Sequence, residues 1–252
     1  MPSQRFDSVD ALRGFAMVWM TAFHFCFDLN HFGYIHQNFF SDPIWTWQRT
    51  AILSLFLFTA GLGQAIAVHQ GQSWPRFWQR WAKVALCALL VSAGSYLMFP
   101  QTWIYFGVLH GMAAMLILVR LTAGWGRALW VLGAVLIAIG SVAQYGMYTS
   151  ANADFLNSRA MNWLGLITNK PRTEDYVPLL PWLGVMWWGM AAGQWLLARR
   201  EEWLSAPLAS GNGVAGGLLR GLALLGRWSL SYYMLHQPVM IGALTAVGWA
   251  TR

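Results

Sequence analysis

Charge is the scarcest property of this chain. Only 10% of its 252 residues are Asp, Glu, Lys or Arg, where a soluble globular domain carries about 25%. That shortage, beside a hydrophobic content of 57%, excludes a water-soluble enzyme and a disordered chain alike. Cysteine is nearly absent, with Cys26 and Cys87 alone, each inside an apolar stretch. No C-x-x-C and no C-x-x-C-H is present, so covalent haem attachment is not expected, nor a disulfide between these two. Acidic residues number 9 against 16 Lys and Arg. In a soluble protein the resulting charge of +7 would point to nucleic acid. Here it matches the bias of cytoplasmic loops toward Lys and Arg. No internal repeat is visible, and no low-complexity tract beyond the linker SGNGVAGG.

What the chain has in excess is apolar and aromatic. Mean hydropathy is +0.44, and there are 17 Trp, amphipathic rings that suit membrane–water interfaces. A bilayer span needs roughly 20 apolar residues, so seven would use about 140 and leave loops but no separate soluble domain. The expectation is an all-α, polytopic membrane helix bundle forming one integral-membrane domain over residues 1–252. The spans fall near 11–29, 44–68, 81–99, 103–119, 128–144, 178–198 (opening on the proline pair of PLLPW) and 228–249. An eighth arises if the amphipathic piece LLRGLALLGR also inserts. A long polar loop is expected over 145–177. The first apolar run contains Arg13, His24 and Asp28 and has no small-x-small cleavage site, so it is expected to be a retained span. Arg49, Arg159, Lys170, Arg172 and Arg252 then lie outside, leaving eleven of the sixteen Lys and Arg inside. This predicts a cytoplasmic N-terminus and an outer C-terminus in a bacterial inner membrane.

Ionisable residues inside spans are costly, which makes them functional candidates. The first span carries D-x2-R-x10-H-x3-D: Asp10, Arg13, His24 and Asp28. At 3.6 residues per turn all four share one stripe, with Arg13 and His24 about 16 Å apart along the axis. Asp28 lies one turn beyond His24, in reach of a His–carboxylate pair. Such a pair suits general base catalysis, the carboxylate fixing the imidazole tautomer. The structural alternative has Asp28 capping the helix and His24 facing a neighbour. His110 and His236 fall near mid-span in spans four and seven, each either a site residue or a helix–helix hydrogen bond. Gln237-Pro238 follows His236 and frees a backbone carbonyl. The segment EDYVPLLPW brings Glu174, Asp175 and Tyr176 to the start of span six, as a helix cap or the rim of an acceptor site. Trp182 suits an interface anchor. Arg13, Arg76, Arg80, Lys83, Arg120 and Arg127 crowd the inner face, where guanidinium groups match phosphate.

The opening RFDSVDALRGFAMVWMTAFHFCFD resembles the first helix of the transmembrane acyltransferase superfamily, which includes acyltransferase-3 proteins with an R-x10-H signature. FTAGLGQAIA, YFGVLHGM, DYVPLLPW and LGRWSLSYYMLHQPV extend the likeness over nearly the whole chain. In order and spacing the set is similar to small bacterial heparan-alpha-glucosaminide N-acetyltransferase-like proteins. The resemblance implies transfer of an acyl group, usually acetyl, from cytoplasmic acyl-CoA to an extracytoplasmic sugar hydroxyl or amine. Acyl-CoA is then a co-substrate, and no metal is implied. The expected partners are acyl-CoA, an envelope glycan or small acceptor, the bilayer and a second copy in a homo-oligomer, with no nucleic acid. Arg13 and His24 match the R-x10-H pair, and His110 and His236 match the later histidine motifs. In heparan-acetylating members the catalytic histidine is placed in the loop after the first helix. Here that loop offers His31 and His36, so His24, His31 and His36 all stand as the base, with His24 favoured. Asp28 is its expected orienter. Asp10, Arg13, His110, Asp175, Tyr176, Trp182, Arg227, His236 and Gln237 are the candidate substrate-binding set. A b-type haem protein using the histidines, or a solute transporter, are the alternative readings. Seven spans without an inverted repeat fit a transporter poorly.

Overall fold

The computed structural model describes residues 5–144, 153–205 and 213–250. The start of the expected outer loop, part of the SGNGVAGG linker and Arg252 lie outside these residues. Every named element is helical: α1 (Asp7–His31), α2 (Pro43–His69), α3 (Trp74–Met98), α4 (Val108–Leu121), α5 (Ala128–Gln144), α6 (Ala153–Asn157), α7 (Trp182–Arg199), α8 (Glu201–Ser205), α9 (Val214–Arg227) and α10 (Ser229–Ala250). The all-α expectation holds for the described residues. Among these helices, α2 and α3 are long and apolar enough by composition to cross a membrane. α1 and α10 are long, but Asp7, Asp10 and Arg13 in one, and His236 and Gln237 in the other, lower their hydropathy.

Two compact units emerge, Met1–Phe56 with Glu201–Arg252, and Leu57–Arg200. In the first, α1 begins with Asp7 and Asp10 in its opening turn, where carboxylates complement the helix dipole. It stops at Gly33, whose φ of 80° is a left-handed conformation that glycine adopts without penalty. Asp42 starts α2, its carboxylate accepting the Ile44 amide at 2.8 Å, with Pro43 at the first helical position. The apolar face of α1 packs Ala16, Met17, Met20 and Phe23 against Phe39, Ile52 and Phe56. Along its other flank lies α9. A side-chain carbon on Gly14 would meet the Leu222 carbonyl, and one on Gly226 would meet the Asp10 carbonyl. Small residues at such crossings let backbones approach closely.

In the second unit α7 is the common partner. Gly61 of α2 faces the Met186 carbonyl, and Gly189 of α7 faces the Phe58 carbonyl. α5 meets α7 at Gly133 and Gly184, and the buried Trp187 donates to Thr122 Oγ1 at 2.9 Å. Two expected boundaries are corrected. α3 begins at Trp74 and not near residue 81, so the polar WPRFWQR expected before span three forms its first turns. Span four does not begin at Trp103, because residues 102–107 are not helical. They are zipped to 173–177: the Glu174 amide donates to the Thr102 carbonyl and the Val177 amide to the Phe106 carbonyl, with a parallel bridge between Phe106 and Tyr176. α4 is therefore only about 21 Å long at 1.5 Å per residue, short of the roughly 30 Å hydrocarbon core.

Candidate functional site

α1 and α10 bring two histidines into contact. His24 Nδ1 lies 2.9 Å from His236 Nε2, with the rings stacked at 5.1 Å between centroids and 14° between planes. His236 is buried. Its other nitrogen, Nδ1, sits 2.7 Å from the Tyr233 carbonyl. A carbonyl only accepts, so His236 Nδ1 carries a hydrogen. In the neutral ring its Nε2 is then an acceptor, and His24 Nδ1 must donate to it. The chain of bonds thereby leaves the lone pair of His24 on Nε2. Tyr232 stacks on His236 at 5.9 Å and 8° and shares a 2.7 Å hydroxyl bond with Thr21. This supports the pair from the side. Tyr232 precedes His236 by four residues, a spacing the sequence displays but that helical geometry alone does not single out.

Asp28 does not bond His24 directly, which corrects the expected His–carboxylate pair. The buried Asp28 instead accepts from Gln237 Nε2 at 2.7 Å, its Oδ2 has no hydrogen-bond partner, and Gln237 is also in hydrogen-bonding contact with the His24 ring. Four-residue spacing places two side chains on one face, but the ring of His24 turns across to α10. His31 ends α1, exposed, against Phe32. His36 is exposed in the following connector and makes no hydrogen bond or ring contact with the pair.

At the other end of α1 the buried Asp10 gathers guanidinium groups. Arg5 Nε lies 2.7 Å from Oδ2, Arg13 Nη1 3.2 Å from Oδ1 and Arg227 Nε 3.8 Å from Oδ2. Arg227 also donates to Asp7 at 2.6 Å. The close α1–α9 crossing at Gly226 delivers Arg227, a residue adjacent, to this cluster. Three guanidinium groups here meet two carboxylates, Asp7 and Asp10.

The sequence matches the family described as heparan-alpha-glucosaminide N-acetyltransferase, catalytic, over residues 5–238. The chain belongs to this family. No curated protein matches it. The heparan-alpha-glucosaminide N-acetyltransferase match spans both the α1 histidine and the α10 histidine, and every candidate residue named from the sequence.

In the second unit the remaining candidates of this acetyltransferase-family chain have structural partners. His110 is the third residue of α4, not mid-helix. Its Nδ1 accepts the Gly107 amide at 3.3 Å, and its Nε2 lies 3.0 Å from Ser92 Oγ, which donates to the Ile104 carbonyl at 2.6 Å. These bonds cap the start of α4. Asp175 does the same work from a distance, accepting the Val108 amide at 2.7 Å. It is a helix cap, as the sequence allowed, but of α4 rather than α7. Tyr176 donates to the Asn162 carbonyl at 2.6 Å, and Asn162 Nδ2 donates to Tyr105 at 2.7 Å. Burial pushes both phenols above their ordinary range. Trp182 opens α7, half-buried.

Proposed function

We propose that this protein transfers an acetyl group from acetyl-CoA to the amine or hydroxyl of an extracytoplasmic sugar, with His24 as general base and His236 as its orienter. The observation that carries the reading is the one-way hydrogen-bond chain from His24 through His236 to the Tyr233 carbonyl, in a member of an acetyltransferase family. The acceptor attacks the thioester carbonyl carbon while its proton passes to His24 Nε2. Collapse of the tetrahedral adduct breaks the C–S bond, and the CoA thiolate leaves with the proton from the imidazolium. A positioned base contributes about 10²–10⁴-fold to such a step. His236 holds the active tautomer and accepts a stronger, charge-assisted bond once His24 is protonated. Gln237 and Asp28 pack this arrangement from the next turn.

The phosphates of CoA meet the guanidinium groups of Arg13 and Arg227. An extended phosphopantetheine arm is comparable with the axial distance of about 16 Å from Arg13 to His24. In this reading the chain is a single polytopic domain in a bacterial inner membrane, N-terminus inside. The family's own name makes a glucosaminide amine the first acceptor to try. A haem held between the two paired histidines is disfavoured by geometry. Two metal–imidazole bonds of about 2.0–2.1 Å, taken at zinc lengths, would hold the nitrogens roughly 4 Å apart, and these lie at 2.9 Å. The test is incubation of purified protein with labelled acetyl-CoA and an envelope extract. Label in a glycan or amino sugar supports the proposal, and no acceptor labelling above the protein-free control opposes it.

A further inference from the structure

From Pro43 to Ala153 the sequence contains no Asp or Glu, although α3 begins with Arg76, Arg80 and Lys83. All three are exposed, and none forms an ion pair among the described residues. At 3.6 residues per turn they share one face of α3 with Leu86, Leu90 and Leu97. Those leucines are 58%, 54% and 82% exposed, and only Phe77 and Ala88 of the whole helix are buried. The stripe is basic for two turns and then apolar, over about 31 Å from Arg76 to Leu97 at 1.5 Å per residue.

The opposite face is pinned. Trp81 Nε1 donates to the Ala113 carbonyl at 2.8 Å. The Arg120 guanidinium donates to the Gln72 carbonyl and lies 5.3 Å from the Trp74 ring and 5.8 Å from the Phe77 ring. So the start of α3 is held in a fixed rotation, with the basic residues turned outward.

We propose that this stripe seats an anionic phospholipid, its phosphate on Arg76, Arg80 and Lys83 and one acyl chain along Leu86, Leu90 and Leu97. A free nucleotide would match the basic half but leave the leucines uncovered. A lipid satisfies both halves at once. The proposal rests on α3 crossing the bilayer, for which it has the length and composition, and not on the acetyltransferase chemistry.

Native mass spectrometry of the purified, detergent-released protein tests it, with dioleoylphosphatidylglycerol and dioleoylphosphatidylcholine as probes. Each basic residue near an anionic headgroup contributes about five-fold, so the glycerol lipid should be retained roughly 100-fold better. The triple variant R76Q/R80Q/K83Q should retain the two lipids equally while binding acetyl-CoA as the wild type does. Raising salt from about 0.1 to 1 M shortens the screening length from about 10 to 3 Å. In the wild type this should cut phosphatidylglycerol retention and spare phosphatidylcholine, a readout that needs no variant. Equal retention of both lipids by the wild type overturns the proposal. So does unchanged phosphatidylglycerol binding in the triple variant. Loss of acetyl-CoA binding in that variant would make the face a nucleotide site and equally overturn it.

Discussion

Replacing His236 by Phe keeps an aromatic ring in the stack between His24 and Tyr232 but removes the acceptor for His24 Nδ1. The structure sets the size of the effect. The lost bond is 2.9 Å long and partly buried, worth a net of about 0.6–1 kcal/mol in a membrane protein. That bias fixes the tautomer in which Nε2 holds the lone pair. When His24 takes the proton the bond becomes charge-assisted and about twice as strong. Together these amount to about 1.2–2 kcal/mol in the transition state, or roughly 8- to 30-fold in kcat. KM for acetyl-CoA should stay within about two-fold, because the CoA phosphates do not meet His236. His236→Gln, whose Oε1 can accept from His24, should recover much of the loss. The assay is steady-state release of CoA thiol by lipid-reconstituted protein with a glucosaminide acceptor. Wild-type kcat in His236→Phe would refute the reasoning, as would a change confined to KM.

Four further outcomes follow from particular contacts. Asp28→Asn keeps an acceptor for Gln237 and should lower kcat by less than about ten-fold, well short of the 10²–10⁴ expected for losing the base itself. Arg13→Lys retains charge but loses the planar fork, so isothermal titration should show weaker CoA binding, and unchanged binding would remove Arg13 from that role. Gly226→Ala drives a methyl group into the Asp10 carbonyl and should cost about 1–3 kcal/mol of stability, read as a lower thermal midpoint in detergent. Asp175→Ala strips the Val108 amide of its acceptor and should cost about 0.5–2 kcal/mol, seen in the same scan with CoA affinity preserved.

The stripe on α1 was legible in the sequence because helical periodicity alone puts Asp10, Arg13, His24 and Asp28 on one side. What periodicity could not supply is which way each side chain turns. His24 points across to α10 and Asp28 meets Gln237, and both contacts join residues more than 200 positions apart. The choice of His236 as a candidate was legible from its polarity in an apolar run. The Tyr233 carbonyl that fixes its tautomer was not, since any helix carries such carbonyls. His110 showed the converse. Its apolar neighbours suggested a mid-span residue, but pairing of 102–107 with 173–177 shortens α4 and leaves His110 as a cap. The length of α3 was missed for a different reason: its first turns are rich in Arg, Gln and Trp and read as a connector, although Pro75 in the opening turn is a helix-start signal.

The central claim is that His24 takes the acceptor's proton. The most direct measurement is transfer of labelled acetyl from acetyl-CoA by purified, lipid-reconstituted His24→Ala, beside His31→Ala and His36→Ala. The account predicts that His24→Ala loses transfer by about 10²–10⁴-fold while still binding CoA, and that the other two stay within a few-fold of wild type. Near-full transfer by His24→Ala, with His31→Ala or His36→Ala inactive, would place the base in the connector after α1 and contradict it.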